Sequence, residues 1–416
     1  MRKYSLILLF CLLALTALNG FNTGKSIFFA DSYMLRAKGI EAAYWNPANI
    51  KPEKGIDFWI PLANLGLCVN NNALDLDTYN YVVSKDVLEE ADKEKILNKI
   101  DGSLRSLVEG NVSILGFAFD NIVLSSSLHI TGKLNLSERY LDLLLYGNSD
   151  SLYVFDKSTT DMNVLSYVDL TFGMGNYTLP FLPESVPDIR AGFSLSALVG
   201  VGNAKMDEFY GYFNTSMEGV DLQQDISLKT GIGGFGQKAM LGLASDVTPN
   251  LEVGFTLDNL FGKITWPLTA EERNIHITAN DVYVANIDDE FYDASTETVD
   301  IDSYSTELPL EMRLSALYTY KKANFSVDYL QGMKSSITNS NIGRLSLAAQ
   351  VSPVKVLPLG IGIGFGNKNY PWRISYSIGL HTNTGEIGLG VQSYKQLIPG
   401  YKSKGLAIGS YIRVSI

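Results

Sequence analysis

Along roughly the last sixty residues of the chain, apolar side chains recur at every second position in four successive runs. Leu359, Ile361, Ile363 and Phe365 share one face, and Gly360, Gly362, Gly364 and Gly366 the other. In the next run Trp372, Ile374, Tyr376, Ile378 and Leu380 oppose Arg373, Ser375, Ser377, Gly379 and His381. Then Ile387, Leu389 and Val391 oppose Glu386, Gly388, Gly390 and Gln392. The last run sets Leu406, Ile408, Ile412, Val414 and Ile416 against Ala407, Gly409, Tyr411, Arg413 and Ser415. A soluble sandwich alternates in the same way, but its loops are of similar length at both ends. Here short and long connections alternate, which is the signature of a transmembrane β-barrel with a lipid-facing apolar surface and a polar lumen.

The same period of two extends upstream. Strands are predicted over Ile56–Val69, Val112–Phe119, Ile122–Ile130, Met162–Gly175, Ile189–Gly202, Lys238–Asp246 and Leu251–Trp266. They continue over Leu310–Tyr320, Asn324–Gln331 and Gly343–Val351, and then through the four runs above, the first of which starts near Leu357. Short links at Thr248-Pro249-Asn250, Lys321-Lys322-Ala323 and Thr382-Asn383-Thr384 read as periplasmic turns. Both termini then share one side, so the strand number is even. The expectation is an all-β, antiparallel transmembrane barrel of about 14 strands. A hairpin over Met206–Ser216 and Asp221–Thr230 makes sixteen if it joins the wall, and the favoured reading has it rising above the membrane.

Two stretches break the alternation with helical spacing. Asp86–Leu107 places Ile96, Ile100 and Leu104 on one face, and Leu134–Tyr146 contains RYLDLLLYGN. Both are expected as short helical insertions in long loops. Their plain role is to cap the rim, and the functional alternative is to help form a site for a greasy ligand.

The amino terminus fits an envelope destination. Arg2 and Lys3 precede an apolar run from Leu6 to Leu18 and then Asn19 and Gly20, the layout of a secretory signal over residues 1–20. That run is too short to span a bilayer as a stable helix, and no other segment is long and apolar enough to do so. Removing the signal takes the formal charge from -11 to about -13 and leaves Cys68 without a disulfide partner. The acidic balance excludes a nucleic-acid partner, which needs a basic footprint. The content of 37 Gly and 23 Tyr suits a barrel wall with aromatic girdles.

After the expected signal comes LRAKGIEAAYWNPANI, Leu35 to Ile50. Its core, Tyr44, Trp45, Asn46, Pro47 and Ala48, resembles the NPA segment near the mature amino terminus of FadL-type outer-membrane barrels. That superfamily comprises long-chain fatty acid and hydrocarbon transporters and the PorV-like proteins of type 9 secretion. Asp92–Ile100, Leu141–Asn148 and Leu308–Tyr318 look like a further branch of it in diderm bacteria, so the resemblance covers most of the mature chain. It implies that residues 21–55 fold back as a hatch and that 56–416 form the barrel. The local chemistry is compatible. Pro47 fixes φ and cannot donate to a ladder, so it suits a plug better than a wall strand. Asn46 can satisfy backbone groups in an irregular segment. Tyr44 and Trp45 offer large apolar bodies with one polar atom each, suited to filling a lumen or touching a solute. The chain departs from that pattern at Ile416, where many such barrels end in Phe or Trp.

Other chemistry is sparse. His129, His276 and His381 lie far apart without metal-ligand spacing. Ser125 and Ser127 near His129 resemble an outer-membrane phospholipase only loosely, since the sequence places no acid beside them, and no enzyme activity is expected. GIGGFG from Gly231 lacks the following helix that a phosphate cradle needs and reads as a turn or kink. No cofactor pattern is present. Between Arg273 and Arg313 there is no Lys or Arg but ten acidic residues. This reads as a solvated loop, with Asp288, Asp289 and Glu290 as the candidate divalent-cation ligands, though without EF-hand spacing. The functional expectation is passive transport of hydrophobic or amphipathic, fatty-acid-like molecules across the outer membrane of a diderm bacterium. The alternative is a non-conducting PorV-like barrel that shuttles or anchors exported proteins. A soluble β-protein would lack the lipid-facing band.

Overall fold

A computed structural model of the chain describes residues 23–147, 152–180, 183, 187–216, 219–282, 292–337, 341–367 and 369–416. The expected signal, residues 1–20, lies outside them. The strands, numbered in chain order, are β1 (Ile56–Trp59), β2 (Leu65–Asn71), β3 (Ser103–Phe119), β4 (Ile122–Ser137), β5 (Tyr153–Asp156), β6 (Asp161–Thr178), β7 (Ile189–Ser216) and β8 (Gly219–Thr248). They continue with β9 (Leu251–Trp266), β10 (Thr269–Val282), β11 (Asp293–Asp300), β12 (Tyr304–Glu307), β13 (Glu311–Tyr320), β14 (Ala323–Gly332) and β15 (Arg344–Val354). The last four are β16 (Leu357–Phe365), β17 (Arg373–Thr382), β18 (Gly385–Tyr394) and β19 (Gly405–Ser415).

The wall is a closed antiparallel barrel of 14 strand positions. β1 and β2 share the first position, interrupted at 60–64. β19 closes the ring on both of them, with Leu406 opposite Val69 and Val414 opposite Phe58. Closure leaves no edge with unpaired backbone, which is what a β-structure in hydrocarbon requires. The alternation maps onto the two surfaces. On β16 Ile361 is 46% exposed on the outside, while Gly362 and Gly364 are buried inside. Tight links such as Asp120-Asn121 and Lys321-Lys322, with left-handed Asp120 and Lys321, lie at the end where the wall begins at Ile56 and finishes at Ser415.

Fourteen positions result because the extra hairpin is not a separate pair of wall strands. It is the upper part of β7 and β8, which run for 28 and 30 residues, well beyond the roughly ten that cross a bilayer. Above the long-loop rim these two strands recruit β5, β10 and β11 into a projecting sheet. GIGGFG lies inside β8, and Gly233 (φ +73°) marks a kink where strand leaves wall.

Inside the barrel lies one short helix, α1 (Ala42–Trp45), and the helical insertions are α2 (Leu76–Ser84), α3 (Glu90–Leu97) and α4 (Glu138–Tyr146). The sequence reading extends the first insertion too far. Left-handed Gly102 ends the segment, and Leu104 already belongs to β3. Ile96, Ile100 and Leu104 do cluster, joined by Val82, Leu136, Leu141 and Leu145. α4 starts only at Glu138, because Ser137 caps it and Leu134 is still in β4. An acidic capping box opens α3, with the Asp92 carboxylate accepting from Glu89 N at 2.9 Å and from the Lys85 ammonium at 2.6 Å. Lys85, then Tyr81, hold the Asp92 carboxyl down to about 2. A depressed carboxyl stabilises above its ordinary pKa near 4 and loses that contribution as pH falls toward 2. The helical cap is therefore expected to loosen between about pH 4 and 2 while the barrel persists, seen as faster protease cleavage within 76–97 than in the strands.

Candidate functional site

Residues 23–50 occupy the lumen as short 3-10 turns and α1, and nearly all are buried. Among the described residues no wall strand pairs with this plug as a ladder. Side chains and isolated backbone contacts hold it, which makes it separable from the wall. Its apolar body comprises Phe28, Phe29, Tyr33, Met34, Leu35, Ile40, Tyr44, Trp45 and Ile50.

Two glycine seats let the plug backbone lie directly on the wall. At the carboxyl-terminal strands, a β-carbon on Gly362 would sit 2.4 Å from the Phe29 carbonyl carbon, and one on Gly390 2.3 Å from the Phe28 ring. The glycine alternation that marks the lumen face in the sequence is thus the bed of the first plug turn. The second seat holds Asn46 and Pro47. A β-carbon on Gly175 or Gly192 would approach Pro47 O to 1.7 or 2.3 Å, and one on Gly242 would meet Asn46 Oδ1 at 2.1 Å.

The structure brings Tyr44 to Ala48 together on this seat. Asn46 Oδ1 accepts from Ala48 N at 3.1 Å, and its Nδ2 donates to Leu243 O at 3.0 Å. The first bond forms the local turn, and the second ties it to β8. Pro47 opens the next 3-10 turn at a position where its missing N–H costs nothing. Trp45 Nε1 donates to Thr23 Oγ1 at 3.1 Å, and the Arg313 guanidinium lies 4.2 Å above its ring. Tyr44 stacks on Trp59 and donates to Asp169 Oδ1 at 2.9 Å.

Polar wall residues pin the remainder. The Asp328 carboxylate accepts from Tyr33 N and Met34 N at 2.8 and 2.9 Å and from the Ser315 hydroxyl. Arg373 donates to Asp31 at 2.7 Å and to Ala30 O at 3.2 Å, fixing two consecutive left-handed non-glycine residues, φ +50° and +70°. Lys25 pairs with Glu386. Asp328→Ala strips the acceptor from two buried N–H groups, an expected loss of roughly 2–5 kcal/mol in plug docking. Frequent spontaneous current steps in planar bilayers, rare in the native chain, are the check.

On the long-loop side of the plug lies a cavity of about 90 Å³. Trp45, Tyr167, Leu308, Leu330 and Tyr370 give it apolar surface, and Glu109, Lys238, Asp258, Glu311, Arg313 and Arg344 give it charge. The charges are mutually supported. Tyr370 OH donates to Glu109 at 2.8 Å, Arg344 covers the Tyr370 ring at 4.1 Å, and Lys238 lies 3.6 Å from Asp258. The walls suit a molecule with both a polar and an apolar part.

His129 reaches the same cavity. Its Nε2 donates to Asp169 Oδ2 at 2.6 Å and its Nδ1 faces Asn111 at 3.4 Å. Both ring nitrogens are engaged by these partners, and Asp169 in turn links His129 to Tyr44 of the plug. Asp169, Asp328, Arg313 and Arg373 escaped the sequence reading of the site. The available signal was an ionisable residue at inward parity in a strand otherwise built for lipid. His276 lies in the projecting sheet beside Asp225, and His381 lies beside Glu53 at the short-turn rim. Asp288, Asp289 and Glu290 fall outside the described residues, and among those described no group of acidic, His or Cys side chains forms a metal site.

A family described as one of unknown function matches residues 47–385. No curated protein matches the chain. Among solved structures the chain is similar to the Ralstonia pickettii toluene transporter TbuX at 10% identity, covering 95% of this chain and 98% of that one, with TM-score 0.48. It is also similar to the P. putida toluene transporter TodX at 11% identity, covering 90% and 92%, with TM-score 0.44. A weaker similarity links it to the outer membrane phospholipase A of Escherichia coli, at 10% identity over 94% and 98%, with TM-score 0.26.

Proposed function

The chain belongs to this family, DUF5723, whose match spans residues 47–385, and from the barrel and its plug we propose an outer-membrane channel that admits amphipathic small molecules when the plug gives way. The observation that carries this reading is the cavity over Trp45, where apolar rings and buried charges face one space directly above a separable plug. A fatty-acid-like solute offers a tail to Trp45 and Leu330 and a head to Arg313 and Arg344, a polar contact that an unfunctionalised hydrocarbon lacks. Tyr44 to Ala48 form the moving part, and Pro47 holds its irregular path. The apolar outer band and the closed wall support a location in the outer membrane of a diderm cell.

The test is influx of a pyrene-labelled fatty acid into proteoliposomes, with an uncharged pyrene hydrocarbon as comparison. Saturable influx of the acid, reduced when Arg313 and Arg344 are both replaced by Gln, supports the reading. Influx no faster than in protein-free liposomes removes it.

One observation favours a second reading. The lumen is filled, and β5, β7, β8, β10 and β11 project as a sheet beyond the rim. A sealed barrel that shuttles or anchors exported proteins works through such a surface. It requires no influx of either probe and no effect of the arginine pair.

A further inference from the structure

Outside the lumen, at the long-loop rim, an apolar groove of about 660 Å³ lies between α2 and the loop that joins β18 to β19. Its size is that of a small-molecule site. Its floor includes Val69 and Leu406, which pair across β2 and β19 and point outward, 42% and 44% exposed. The groove therefore continues the lipid-facing band upward. Leu74, Leu76, Tyr79 and Tyr401 complete it. Beside it, Leu397 and Ile398 stand 61% and 71% exposed, unusual for apolar residues beyond a barrel rim.

Charge gives the groove a polarity. The loop reads KQLIPGYKSK from Lys395, with three lysines, and no Asp or Glu occurs after Glu386. Lys395 and Lys404 converge on one carbonyl, Asn72 O, at 3.4 and 3.2 Å, so two ammonium groups share a single neutral acceptor. Among the described residues neither forms an ion pair. Burial, then the neighbouring Lys395 and Lys99, pulls the Lys404 ammonium below its ordinary pKa. Asp75, whose carboxylate acts on Lys404, is already engaged by Lys99 at 3.1 Å and by Thr78 N at 2.8 Å. Exposed apolar residues flanked by lysines are the pattern of a segment lying at a charged membrane surface.

We propose that this rim groove binds an anionic membrane lipid, with an acyl chain along Val69, Leu76 and Leu406 and the headgroup phosphate against Lys395, Lys402 and Lys404. The occupant is a bilayer lipid because the groove floor is the lipid-facing wall itself. The site lies outside the barrel, so it is independent of whether the lumen conducts.

The test uses the full chain carrying Tyr401→Trp, in nanodiscs of phosphatidylcholine with a small fraction of brominated lipid. Quenching of the introduced tryptophan's emission, relative to the quenching of the native tryptophans in the unsubstituted chain, reports lipid in the groove. Brominated phosphatidylglycerol is expected to quench at about fivefold lower mole fraction than brominated phosphatidylcholine. Replacing Lys395, Lys402 and Lys404 by Gln removes that preference but leaves quenching by phosphatidylcholine. Lys402→Gln alone, at an exposed position, weakens the preference even if the triple variant fails to fold. Equal quenching by the two lipids in the Tyr401→Trp chain, or a preference that survives the lysine changes, overturns the proposal.

Discussion

Valine at both Gly175 and Gly192 is expected to drive the plug off its seat while leaving the barrel intact. A β-carbon at either site points at the carbonyl of Pro47, at 1.7 and 2.3 Å, and the obstacle is backbone that no rotamer change relieves. Valine is at home in a strand, so β6 and β7 keep their ladder. The plug instead loses the packing of Tyr44, Trp45 and Ile50, each worth roughly 1.5–3 kcal/mol when fully buried. The double variant should retain the heat-modifiable gel migration of a folded barrel and show large, frequent conductance in planar bilayers. Gly202→Val, whose β-carbon meets nothing nearer than 3.9 Å, should behave like the native chain. Unchanged conductance in the double variant means that the plug does not sit on these glycines.

The second large effect separates the two faces of one strand. Leu389 stands 62% exposed on the outer wall of β18, and Leu389→Arg is expected to lower barrel stability by roughly 2–4 kcal/mol, the cost of an arginine near the middle of a bilayer. Its neighbour Gly390 points inward against Phe28. Gly390→Ala should cost the barrel little and instead displace Phe28, raising conductance. Guanidinium unfolding in lipid vesicles and single-channel currents read the two outcomes separately. A destabilised barrel in the Gly390 variant and a tolerant Leu389 site would reverse the assigned faces.

Much of the wall was legible because its physics is local. Each lipid-facing strand must alternate, and each short turn advertises itself through residues such as Pro249 and Lys321, so the period of two gives fourteen strand candidates, or sixteen if the hairpin over Met206–Ser216 and Asp221–Thr230 is counted in the wall. What alternation cannot give is length beyond the bilayer. β7 and β8 continue as one strand each into the projecting sheet, since a backbone outside the membrane can extend in any register its partners allow. Helix ends were misplaced where a strand of Leu-rich sequence mimics a helical face, as at Leu104 and Leu134, and Gly102 and Ser137 were the overlooked punctuation.

Of the candidate site, Tyr44 to Ala48 were legible as a group through their resemblance and through Pro47. Their anchors were not, because each is a contact between residues far apart in sequence. Asp169 meets Tyr44 across 125 positions and Asp328 meets Tyr33 across 295. Gly175, Gly192 and Gly242 fall within predicted wall strands, and only the plug's position shows what they accommodate.

The most direct measurement compares single-channel currents of the full chain with those of a chain lacking Tyr44 to Ala48, both purified and inserted into planar bilayers. The expected result is a native barrel that is closed most of the time and a shortened one that folds and conducts in large, stable steps. A shortened chain that folds and carries the same small currents as the native one would contradict the assignment of this segment as the closure of the lumen.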